Sequence, residues 1–161
     1  MRSGTNVNQR GIARALSVSA PAVLKALPGL ENKKLVIAVQ DKDSKRWAIE
    51  LNRDNISVVQ LKRIDNLKQL YESGLVEYLY DKLPGTTIIL FGSYSNGEDT
   101  VNSDIDLAVI GINHKTLDLE EYERILLREV VVNYYLSFSG MRKELLNNIM
   151  NGIVIKGGVE L

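Results

Sequence analysis

Apolar positions along this chain fall into alternating helical and strand-like patterns. Asn8 to Leu16 places Ile12, Ala13, Ala15 and Leu16 on one side, which predicts a short helix. Ser17-Val18-Ser19 reads as a turn. Ser19 is a good N-cap and Pro21 sits near the first helical position, so a second helix should run through Val23, Ala26 and Leu27. Pro28-Gly29 should end or bend it. Leu35–Val39 and Trp47–Leu51 read as strands, joined by a polar, Lys-rich tip from Asp41 to Arg46. After a cap at Asp54-Asn55, apolar residues from Val59 to Leu83 recur at helical spacing, with Ser73-Gly74 marking a break. Pro84-Gly85 then turns into a strand ending at Phe91.

Beyond Phe91 the pattern predicts a short helix over 92–97 and a strand over Ile105–Ile110. A loop follows over 111–115, whose His114 is the only histidine and reads as a solvated residue. Next come a helix over Leu117–Leu127, a strand over Glu129–Phe138, a helix over Met141–Asn151 and a last extended piece at Ile153–Ile155. Asp118, Glu120, Glu121 and Glu123 read as the solvated face of the first of these helices. The apolar stretch from Ile153 to Leu161 offers a contact for a dimer or partner.

Composition narrows the classes. With 161 residues the chain suffices for one ordinary domain or two small ones. No apolar run approaches the roughly 20 residues that span a bilayer, and the start lacks the apolar core of a signal peptide. A cytoplasmic location is the expected default. The absence of cysteine excludes disulfides, thiolate zinc sites and cysteine nucleophiles. The net charge of zero hides an asymmetry: residues 1–54 carry ten Lys/Arg against five Asp/Glu, and the remainder carries ten against fifteen. A basic part joined to an acidic part points to two modules with different partners, 1–54 and 55–161, or to opposite faces that attract within one particle.

The candidate chemistry lies in Phe91-Gly92-Ser93-Tyr94-Ser95-Asn96-Gly97 and in Ser103-Asp104-Ile105-Asp106-Leu107. Side chains two apart on a strand share a face, so Asp104 and Asp106 converge as hard oxygen donors suited to Mg²⁺. Gly92 lets backbone approach a ligand, and Ser93 can cap the following helix and donate to an anion. A helix start with free N–H groups suits a triphosphate. Either element alone is an ordinary structural feature; together, each beside an apolar run, they point to phosphoryl or nucleotidyl transfer.

This constellation, Gly-Ser, ten residues, then Asp-x-Asp, resembles the signature of the DNA polymerase β-like nucleotidyltransferases, especially the minimal ones. The resemblance implies an α+β chain with a small mixed-sheet nucleotidyltransferase fold. It implies that Asp104 and Asp106 hold Mg²⁺ and that Gly92 and Ser93 bind the phosphates of ATP or another nucleoside triphosphate. Ser103 helps orient the loop before Asp104, or is a simple turn residue. Asn96 stands where many members carry an arginine. Active members also carry a third acid on the next strand; the aligned position here is Val131. Glu129 and Asn133 share its face by the period of two: Glu129 substitutes if the register is shifted, and Asn133 can ligate but not accept a proton. Some minimal members act as antitoxins that modify a HEPN-type ribonuclease with AMP, which implies a protein acceptor and a homo- or hetero-oligomer.

Residues 5–54 resemble a winged helix-turn-helix. That implies DNA contact through Ser19, Ala22 and Lys25 on the second helix and through Lys42, Lys45 and Arg46 on the wing. The helix that usually precedes this pair has too few residues before Asn8, so either it lies outside the sequence or another element covers that face. Two further readings stand beside a transferase. One is a DNA-binding regulator whose nucleotidyltransferase-like part senses nucleotide; the other is a pure interaction module.

Overall fold

The computed structural model describes residues 7–159. They form two compact units, divided between Val59 and Gln60.

The first unit holds helix α1 (Gln9–Ala15), helix α2 (Ala20–Asn32) and an antiparallel hairpin of β1 (Val36–Gln40) and β2 (Trp47–Leu51). Local chemistry sets both helix starts. Asn8 accepts from the Gly11 amide at 2.8 Å, and Ser19 accepts from the Ala22 amide at 3.3 Å, with Pro21 at the head of α2. Pro28 neither ends α2 nor confines it: the helix continues to Asn32. The missing N–H removes one rung, yet Val23 and Leu27 remain buried with Ala13 and Ile49, so tertiary packing outweighs it. Val7 forms an isolated bridge with Ile49 through two hydrogen bonds of 3.0 Å. The hairpin tip is closed by Asp41, whose carboxylate accepts from the Ser44 amide and hydroxyl.

Helix α3 (Ile56–Glu72) begins at Asn55, whose side chain accepts from the Ser57 amide at 2.9 Å. The division between the units falls within it. Gly74, at φ +80°, supplies the left-handed residue between α3 and α4 (Leu75–Lys82). The second unit continues with β3 (Thr87–Phe91), α5 (Gly92–Asn96), β4 (Ile105–Ile110), α6 (Glu120–Leu126), β5 (Val130–Tyr135), α7 (Lys143–Met150) and β6 (Ile153–Lys156).

The four strands form a mixed sheet in the order β5-β4-β3-β6. β3 runs antiparallel to both β4 and β6, while β4 and β5 are parallel and joined through α6. Both faces are covered, which explains the near-continuous apolar runs. Ile88, Leu90, Ile105, Leu107 and Val109 pack with Leu70, Leu75 and Leu79 of α3 and α4. Ile89, Phe91, Ala108 and Ile110 pack with Ile149 of α7.

Several elements differ from the pattern-based expectation. The helix after the loop starts at Glu120, not Leu117; ahead of it the Asp118 amide donates to the Tyr78 hydroxyl at 3.0 Å. Glu123 is not part of a purely solvated face: its carboxylate accepts from the Val130 amide at 2.9 Å and so anchors the start of β5. The following strand is shorter than 129–138 and the next helix shorter than 141–151. The first four residues of the stretch from Ile153 form an edge strand paired to β3, with Ile155 buried; Glu160 and Leu161 lie outside the described residues.

Candidate active site

β3 delivers Phe91 directly beside Asp106, its partner across the antiparallel pair. The chain then turns sharply at Gly92, at φ +76°. A Cβ added there would lie 2.6 Å from the Asp106 carboxylate. Glycine is therefore required twice, by the left-handed backbone and by the close approach of a charged side chain. Asp104 precedes Asp106 by two residues and sits on the same face at the start of β4. It is exposed, whereas Asp106 is half-buried. Burial, and secondarily the charge of Asp104, hold the Asp106 carboxyl above the usual carboxylate range.

Ser93 lies inside the α5 turn rather than capping it. The N-cap position is Phe91, and no side chain caps this helix. The Ser93 carbonyl accepts from the Glu98 amide at 3.0 Å, and its side chain remains partly exposed beside Gly92. Ser95 donates to the Gly92 carbonyl at 2.8 Å and fixes the turn. Asn96 ends the helix, partly exposed, 3.3 Å from the Ser95 hydroxyl through its amide oxygen. Ser103 organises the loop before Asp104: its hydroxyl accepts from the Thr100 amide at 2.9 Å.

The parallel register of β4 and β5 sets Val131 beside Asp106. An isopropyl group therefore occupies the place where a third ligand on this face would stand. Extending that register puts Glu129 opposite Asp104, exposed and one residue before the strand. Asn133 falls farther along, opposite Ala108. Among the described residues no group of three or more His, Cys, Asp or Glu is placed to hold a metal ion. The donor set at the site is thus two carboxylates. That suits one hard cation whose remaining ligands are phosphate oxygens and water. His114, in an exposed loop, lies against the Tyr134 ring at 5.1 Å between centroids, away from this constellation in the sequence register.

Sequence patterns gave no sign of the buried group behind this loop. Asp99 is fully buried. Its carboxylate pairs with Lys62 of α3, accepts from the Asn66 amide at 2.7 Å and pairs with Arg128 at 2.7 Å. Arg128 also donates to the carbonyls of Thr100 and Ser103, each at 2.6 Å, and stacks 5.2 Å from the Tyr94 ring centroid. Tyr94 is buried, and desolvation pushes its hydroxyl up to about 12. The members lie 29 and 37 positions from Asp99, so no local motif connects them. Lys62 and Asn66 are on α3, whereas Asp99 and Arg128 lie in loops where a charged residue is ordinary.

Comparison with known proteins matches residues 72–151, just under half of the chain, to the family described as the nucleotidyltransferase domain. The match runs from the end of α3 to α7 and contains both aspartates and the Gly92 turn. A curated relative is the protein adenylyltransferase MntA of Shewanella oneidensis, 45% identical over 53 residues. That segment covers 32% of this chain and 37% of the relative, so the chain spans little more than a third of the relative it matches. Both matches support nucleotidyltransferase activity.

Proposed function

We propose that the second unit is a divalent-cation-dependent nucleotidyltransferase that moves AMP from ATP onto a hydroxyl group, with a protein as the favoured acceptor. The observation that carries this reading is the packing of the Gly92 turn against Asp106, with Asp104 on the same strand face, inside the matched segment. The preference for AMP and for a protein acceptor rests on the sequence resemblance and on the relative's name. RNA and small-molecule hydroxyls are the other acceptor classes. A HEPN-type ribonuclease, for which the chain would act as antitoxin and hetero-oligomer partner, is the specific acceptor that the sequence resemblance implies.

In this reading Asp104 and Asp106 hold Mg²⁺, which when bound neutralises phosphate charge and polarises the α-phosphoryl group. The repulsion between the two carboxylates disappears on binding. Gly92 and Ser93 bind the triphosphate tail through backbone amides and the hydroxyl, and Asn96 contributes a neutral contact where a cation would bind more tightly. The acceptor oxygen forms a bond to the α-phosphorus while the bond to the β-phosphate bridging oxygen breaks, and pyrophosphate leaves. In this reading Glu129 takes the hydroxyl proton; its position opposite Asp104, by extension of the strand register, supports that role.

The test is incubation of wild type and an Asp104→Asn/Asp106→Asn variant with Mg²⁺, α-labelled ATP and native extract. Label on one macromolecule with wild type alone supports the transferase and identifies its acceptor. Absence of label, with ATP binding retained, favours a second reading. There the unit senses nucleotide and the first unit, as a winged helix, gives the output on DNA. Two observations favour that alternative: Val131 beside Asp106, and the exposed Lys42, Lys45 and Arg46 at the hairpin tip. Among the described residues no helix is long and apolar enough to cross a membrane; a cytoplasmic setting is part of the proposal.

A further inference from the structure

The buried Asp99 carboxylate gathers Lys62, Asn66 and Arg128 around it. Four residues, 100 to 103, separate it from Asp104. Both ends of that segment are held by one side chain: Arg128 donates to the carbonyl of Thr100 and to that of Ser103. The same guanidinium is fixed by Asp99, and Asp99 by Lys62 and Asn66 of α3. Arg128 is mostly buried, at 16% side-chain exposure, and covered by Tyr94. It also immediately precedes Glu129, so one residue ties the segment that presents Asp104 to the segment that presents Glu129. Ile105 completes the junction, its amide donating to the Glu129 carbonyl at 2.9 Å.

We propose that Arg128, locked by Asp99, is a positioning residue for the cation site: it sets where the Asp104 carboxylate stands relative to Asp106. The inference rests on the reading of Asp104 and Asp106 as cation ligands. A planar guanidinium reaches three acceptors in fixed directions, and an ammonium of the same charge does not. Charge alone is therefore insufficient, and Arg128→Lys separates geometry from electrostatics. Asp104 is exposed and immediately follows the segment that Arg128 holds, so its position depends on that segment.

The experiment measures Mn²⁺ affinity by electron paramagnetic resonance, with a non-hydrolysable ATP analogue present. The proteins are wild type, Arg128→Lys and Asp104→Asn, each checked for folding by thermal melting. The expected result is binding by wild type, loss with Asp104→Asn, and roughly tenfold or greater weakening with folded Arg128→Lys, as for other residues that orient metal ligands. Wild-type affinity in folded Arg128→Lys overturns the positioning role while leaving the transferase reading intact. Binding that is unchanged in Asp104→Asn overturns the cation site, and this proposal with it. Should Arg128→Lys fail to fold, Arg128→Gln/Asp99→Asn removes both charges together, and the same weakening is expected.

Discussion

At the scale of single residues, the site is built from conflicts that only a ligand resolves. Gly92 faces Asp106 so closely that a methyl group would contact its carboxylate at 2.6 Å. Gly92→Ala is expected to cost about 1–2 kcal/mol through the left-handed backbone alone. It should also displace Asp106 and weaken cation binding, which denaturant melts and Mn²⁺ titration together would reveal. Asp106 presents a second conflict. Its folded-state pKa is raised, by burial first and by Asp104 second. The folded protein thus holds that proton more tightly than the unfolded chain. The contribution is favourable below the ordinary carboxylate range and is lost as pH rises through the raised value. At neutral pH without cation the ionised pair opposes folding. Asp106→Asn is therefore expected to melt higher than wild type at pH 7 without Mg²⁺. It should also lack the gain that Mg²⁺ gives wild type, about 2.7 kcal/mol at a hundredfold excess over Kd. Melts from pH 4 to 8, with and without Mg²⁺, test both statements. Asp104, Asp106 and Gly92 were legible because a strand period of two and a glycine turn are local. Asp99, Lys62 and Arg128 were not, because burial of a charge depends on partners far along the chain.

Among the elements, caps outside the site follow from the sequence, whereas the cap expected of Ser93 and several element lengths do not. Ser19, Asn55 and Gly74 act where the sequence places them because capping is decided within four residues. Pro28 does not end α2, because its local penalty is outweighed by Val23 and Leu27 packing on Ala13 and Ile49. α6 starts three residues later than the apolar pattern predicts, at Glu120. Its end has a distinct feature. Leu127 adopts φ +53° with its side chain 84% exposed, directly before Arg128. Nothing packs on that side chain to compensate for the left-handed conformation. Leu127→Gly relieves about 1–2 kcal/mol of strain and loses about 0.4–1 kcal/mol to added freedom of the unfolded chain. The net expectation is a small gain in stability, read as a raised denaturation midpoint with unchanged slope. A loss would mean that the turn between α6 and β5 needs leucine for another reason.

For the whole molecule, the two units present different surfaces to any partner. The first 54 residues carry a net +5 and the rest −5, so a net charge of zero describes neither. In the first unit the cations of interest sit at an exposed hairpin tip, Lys42, Lys45 and Arg46, and on the exposed side of α2 at Lys25. If these cations bind DNA phosphate, association must release counterions, and affinity must fall steeply with salt. Each phosphate contact contributes a slope of about 0.9 in log–log terms. Replacing Lys42, Lys45 and Arg46 together by alanine is then expected to lower the slope by up to about 3 units. The loss should be similar for all sequences, because phosphate contacts carry no base information. The second helix offers one cation and few groups able to read base edges, so discrimination between sequences should be weak. Fluorescence anisotropy with labelled duplexes over a range of salt measures both quantities. Binding with an unchanged slope in the triple variant would remove the hairpin from the interface. No binding by wild type at low salt would leave protein docking as the role of this unit, and the acceptor labelled by the second unit would be the partner to test against it.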